Sequence, residues 1–146
     1  MKKLFTVCLS LLILAMASLP CYAVTQNEVI SQTTTTLANG VECTTTVYLE
    51  PSSSRSSTRN GAIDKKYSYN GEEFATVRLI ASFTYNGSTA TAISASGDHS
   101  IASDWSYSGQ SVWCSGATAH LSATISGPVT FPVSLSLTCS PTGVLS

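Results

Sequence analysis

Apolar and polar residues alternate with a period of two through most of this chain, and residues 75–85 set the pattern for the rest. Ala75, Val77, Leu79, Ala81, Phe83 and Tyr85 are apolar, while Thr76, Arg78, Ser82 and Thr84 between them are polar. Side chains on a strand point alternately to opposite faces, so this period predicts a half-buried strand. Asn86-Gly87 follows, two residues that tolerate the positive φ of a type I′ turn, and the chain is expected to double back there. A two-residue loop would set Phe83 opposite Ala90, Ala81 opposite Ala92 and Leu79 opposite Ser94, with Ile80 meeting Ile93 on the other face. The returning strand is small-sided, so the large residues of the first need a second layer to cover them.

The same period marks further strands. Residues 30–36 form a Thr-rich candidate, and in residues 41–49 Val41, Cys43, Thr45, Val47 and Leu49 share a face. Residues 62–69 read as an edge strand, with Lys65 and Lys66 as charges that discourage edge pairing. Asn70-Gly71 is the next turn. Residues 110–114 and 117–125 follow, the latter with Ala119, Leu121, Ala123 and Ile125 on one side. From Val129 to Cys139 the alternation is complete, and Pro132 on the polar side, which cannot donate to a ladder, sets that strand at an edge or a bulge. Two stretches break the pattern: the polar tract 52–60, expected as a loop or linker, and residues 97–109, expected as a long loop or else a short irregular strand.

Turns about every ten residues without helical periodicity predict an all-β fold, an antiparallel β-sandwich with immunoglobulin-like spacing, or in second place a small β-barrel. A parallel α/β fold lacks its crossover helices.

The N-terminus changes the picture of the whole. Met1-Lys2-Lys3, the apolar run from Leu4 to Leu19 and the small positions Cys21 and Ala23 have the parts of a secretory signal peptide, a helical leader expected to span 1–23 and to be cleaved after Ala23. The run is shorter than the roughly 20 apolar residues of a membrane span, so no stable span is expected after cleavage. A single domain then covers 24–146. It carries five basic residues against eight acidic ones, a balance that gives no reason to expect a nucleic-acid partner. About a third of it is Ser or Thr, which suits hydroxyl-bearing outer faces of short strands.

Cys43, Cys114 and Cys139 remain beyond the leader, an odd number for an oxidising compartment. Cys114 and Cys139 are separated by an intervening strand, so the expected disulfide is Cys43 with Cys139, the alternative being Cys43 with Cys114. Cys114 is left as a free, inward-facing thiol.

Candidate chemistry is sparse. His120 falls on an outer face with Thr118, Ser122 and Thr124, and Asp98, His99 and Asp104 share a loop without a known metal-ligand spacing; no metal or other cofactor is expected. No G-x-S-x-G elbow accompanies the many serines, so the protein is not expected to be an enzyme. The strongest signal is aromatic. Trp105, Tyr107 and Trp113 flank one loop and are the candidate ligand-binding residues, with Trp113 outward if Val112 and Cys114 point in. The competing reading packs Trp105 under the loop as a core plug and Trp113 into the interface of a second sheet.

The MKK leader, the ATVRLIASFTYNGSTATA hairpin and the PVSLSLTCSPTG ending resemble small exported proteins of bacteria that carry no assigned function, a resemblance that lends no active residues. The expected product is secreted or periplasmic. The function expected is non-catalytic binding, with a glycan or a cell-surface protein as partner; an antimicrobial or toxin-like protein is the alternative and a hydrolase the third.

Overall fold

The computed structural model describes residues 27–51 and 57–146. The expected signal peptide, residues 1–23, lies outside them. Eight strands follow in order: β1 Glu28–Thr36, β2 Glu42–Leu49, β3 Thr58–Tyr69, β4 Glu72–Tyr85, β5 Ala90–Ile101, β6 Ser106–Ser115, β7 Thr118–Ser126 and β8 Thr130–Thr138. They form two antiparallel sheets, β1-β2-β3-β4-β5 and β6-β7-β8, packed face to face. Among the described residues the chain is all-β and sandwich-like. Both sheets are sequential meanders, whereas immunoglobulin-like sandwiches use Greek-key connections. The two sheets stay separate rather than closing into a barrel; where β5 approaches the β6–β7 turn, Ala92 N–H donates to Gly116 O at 2.8 Å.

Alternation builds the core. Val77, Leu79, Ala81 and Phe83 of β4 meet Leu121 and Ile125 of β7 and Val133, Leu135 and Leu137 of β8, all buried. Burial of this kind stabilises by about 25 cal/mol per Å² of apolar surface. Pro132 lies on β8, an edge strand, as expected.

Three expectations on the chain's organisation are corrected. Thr58, Arg59 and Asn60, assigned to the polar tract 52–60, belong to β3, pairing with Thr84, Phe83 and Ser82; residues 52–56 of that tract lie outside the described residues. β3 is not an edge strand but pairs with β2 on one side and β4 on the other. Its Lys65 does not guard an edge: Nζ reaches across to donate to Ser134 O at 2.6 Å. Residues 97–101 are strand rather than loop, leaving only a short 102–105 connection to β6.

The hairpin register also differs. Asn86-Gly87 does not form a two-residue turn; the loop has four residues, 86–89, and Tyr85 pairs with Ala90, Phe83 with Ala92 and Ala81 with Ala95. Gly87 takes φ 88°, while Asn86 stays at negative φ and its Oδ1 accepts from the N–H groups of Ser88 and Thr89 at 3.0 and 2.8 Å. The C-terminal segment holds this form, with Pro141 O accepting from Gly87 N–H at 2.8 Å. A bulge at Ile93 then flips β5, so Ala95, Gly97, His99 and Ile101 share the inward face with their partners Ala81, Leu79, Val77 and Ala75.

Candidate functional site

The three aromatic candidates do not converge. Trp105 lies in the connection between β5 and β6, at the end of the sandwich that also holds the 70–71 and 127–128 turns. One face of its indole stacks on Phe74 at 3.7 Å between centroids. Gly127 closes the other face, since a Cβ there would stand 2.5 Å from the indole ring. Tyr69 and Phe131 meet it edge-on at 6.2 and 6.5 Å. Trp105 is thus a packed wall, as the competing sequence reading had it.

Tyr107 pairs with Ile125 on the inner side of β6 and stacks on His99 at 3.8 Å, its hydroxyl donating to Gln110 Oε1 at 2.8 Å. Burial raises its phenol above the ordinary value. A bulge between Ser108 and Ser111 shifts the strand before Trp113, which turns to the opposite side.

Trp113 is the exposed member, 45% accessible on the outer face of the three-stranded sheet. It sits directly across from His120, and the two rings lie nearly parallel at 5.0 Å and 16°. The pairing registers define what surrounds them. Ser106, Ser126 and Thr130 form one cross-strand row, Ser108, Thr124 and Pro132 the next, and Ser111, Ser122 and Ser134 the third. Trp113, His120 and Ser136 follow, then Ser115, Thr118 and Thr138. Apart from the ring pair and Pro132, every position on this face is a hydroxyl residue. This face was readable in part from the sequence, which placed His120 beside Thr118, Ser122 and Thr124; Trp113 as its stacking partner needed the pairing of β6 with β7.

A second polar cluster, missed by the sequence reading, lies on the five-stranded sheet. Thr46, Asp64, Arg78 and Asp98 form one row across β2 to β5. Arg78 donates from Nε and an Nη to the two carboxylate oxygens of Asp64, each at 2.6 Å, and lies over the Tyr48 ring at 5.7 Å. Hydrogen bonding to Asp64 raises the guanidinium above its ordinary value, against a smaller lowering by burial. The Asp64 side chain is almost fully buried, and a planar, bidentate partner is what keeps such a carboxylate soluble in the sheet. The signal was Asp64 opposite Arg78, which only the β3–β4 register brings together. A cavity of about 160 Å³ beside it is lined by Thr76, His99 and Ser100.

The cysteines correct the expected disulfide. Cys43, Cys114 and Cys139 are all free thiols. Cys43 pairs with Tyr67 near one end of β3, whereas Cys139 lies by Arg59 at the other, its bridge partner Leu145 packed on Gly61. From Arg59 to Tyr67 a strand covers roughly 26 Å at about 3.3 Å per residue, far beyond the ~7 Å Cα separation that a disulfide spans. Burial raises the Cys139 thiol, opposed by Arg59. Cys114 is exposed rather than the inward-facing core thiol expected, because β6 is an edge strand.

Both histidines are committed to ring stacking. Asp98 Oδ1 accepts from the backbone N–H of His99 at 2.8 Å, and Asp104 stands in the connection beyond β5. Among the described residues no three metal-ligating side chains gather, and no helix is long and apolar enough to cross a membrane, which says nothing of spans made by strands. Comparison with protein-family models, with curated proteins and with solved structures finds no match for this chain.

Proposed function

We propose that this chain is an exported, non-catalytic binding module that takes a glycan on the outer face of its three-stranded sheet. The observation that carries the reading is Trp113, an exposed indole held parallel to His120 amid Ser and Thr. Stacking against His120 fixes the ring's orientation, so little side-chain entropy is lost when a ligand meets its other face. The apolar face of a sugar ring suits such a wall, and its hydroxyls suit a surface of hydroxyl groups that both donate and accept. Export is supported by the charged, apolar and small-residue parts of the N-terminus. Stacking of both histidine rings, His99 on Tyr107 and His120 on Trp113, supports the non-catalytic part.

The test is retention on a glycan array or on insoluble polysaccharide, with wild type and Trp113→Ala compared. We expect the wild type to be retained and the variant to lose about tenfold or more in affinity, the scale of one buried aromatic anchor. Thermal unfolding should change little, because Trp113 lies outside the core. Absence of retention on any glycan, or retention indifferent to Trp113→Ala, overturns the reading in favour of a protein partner.

A further inference from the structure

At the end of the sandwich where Trp105 packs, the β3–β4 turn, the β5–β6 connection and the β7–β8 turn surround a cavity of about 310 Å³. This is a separate site from the Trp113 face, reached from the end of the sheets rather than from their outer surface. Its volume is at the lower end for small-molecule sites, room for a fragment rather than an extended chain.

Two kinds of wall meet in it. Tyr69, Phe74, Trp105 and Pro128 make an apolar side, held rigid by the 3.7 Å stack of Trp105 on Phe74 and the 75° contact of Tyr69 with Trp105. Glu72, Glu73 and Asp104 also line it, with no basic residue among the lining. Glu73 is already engaged, by Lys66 at 3.5 Å and by the Thr76 hydroxyl at 3.0 Å. Glu72 and Asp104 form no ion pair among the described residues. A recess with carboxylates of one sign concentrates cations. The apolar wall then selects among them: a hydrated metal ion gains nothing from Tyr69 and Pro128, whereas a short aliphatic stem loses its contact with water there. A positive head beside Tyr69 also gains from the ring's electron-rich face.

We propose that this cavity binds a primary alkylammonium group on a short apolar stem, supplied by a free alkylamine or by a lysine side chain of a partner. The stem lies along Tyr69, Trp105 and Pro128, and the ammonium meets Glu72 and Asp104.

The experiment uses the nitrogen-labelled protein, whose two tryptophans give two indole N–H signals, assigned with Trp113→Phe. Titration with n-pentylammonium should shift the Trp105 signal saturably and leave that of Trp113 in place. The uncharged isostere 1-pentanol should fail to do so on the same wild-type sample. Glu72→Gln with Asp104→Asn should weaken pentylammonium about tenfold, the loss of charge-assisted contacts. An acetyl-lysine-amide peptide with a free side-chain amine that shifts the same signal more tightly than pentylammonium identifies a lysine as the source; tighter binding of pentylammonium identifies a free amine. No saturable shift with either amine, or an equal shift with 1-pentanol, overturns the proposal without any variant having to fold.

Discussion

Asn70-Gly71 and Asn86-Gly87 are the same dipeptide between strands of similar character, and they behave differently. Asn70 and Gly71 take φ 52° and 84°, the two positive values of a type I′ turn, and Tyr69 pairs with Glu72 across them. At Asn86 the side chain instead caps Ser88 and Thr89, and Pro141 holds Gly87, a partner more than fifty residues away. Tyr67 shows the same dependence on distant neighbours. Almost fully buried against Phe74 and Phe131, and directly across from Cys43, its phenol is pushed far above the ordinary value, chiefly by burial. The neutral form is the one the fold accommodates. Its contribution to stability is therefore complete below about pH 10, where an unfolded tyrosine ionises, and is lost as pH rises further, by up to about 1.4 kcal/mol per pH unit. Urea unfolding across alkaline pH should show this fall, and Tyr67→Phe should flatten it. Tyr107 and Cys139, raised in the same direction, leave a residual slope. An unchanged slope in Tyr67→Phe would show that Tyr67 is not the group responsible.

Among the elements, β5 explains why residues 97–101 did not read as strand. The bulge at Ile93 moves the inward set from Ala92 to Ala95, Gly97, His99 and Ile101, so the period of two restarts out of phase and with small or polar members. Gly97 is required by packing rather than by φ, since a Cβ there would meet Leu121 at 2.5 Å. The C-terminal segment is an element too, although it is not a strand. Thr138 and Ser146 exchange backbone hydrogen bonds at 2.9 and 3.0 Å, and Leu145, 3% exposed, packs against Gly61 of β3. We expect Leu145→Ala to cost about 2–5 kcal/mol through the cavity it leaves. Its exposed neighbour should behave differently: Val144→Ala should stay within about 0.5 kcal/mol. Chemical denaturation of the two variants checks this; equal costs would mean that the segment is not docked.

For the whole molecule, the mismatch between five strands and three leaves part of the larger sheet uncovered. β1 is exposed along all nine residues and among the described residues pairs with β2 alone, with Val29 and Ile30 open to solvent. Few buried contacts hold it, so it should open locally at far lower free energy than the core. Hydrogen exchange should find the β1 amides exchanging first and those of β4 and β7 last; protection of β1 equal to that of β4 would contradict this architecture.

The period of two by itself determined the all-β class, the inward faces of β2, β4, β7 and β8 and the outward aim of His120, because burial of alternate side chains is a local property of an extended chain. Only the tertiary structure decided which sheet each strand joined, the register of β5, the central place of β3, the Asp64–Arg78 pair and the separation of Cys43 from Cys139. It also carried Trp105 to the end cavity and Trp113 to the outer face, although only seven residues separate them. Those outcomes depend on contacts between residues distant in sequence, and alternation is the same whichever neighbour a strand takes.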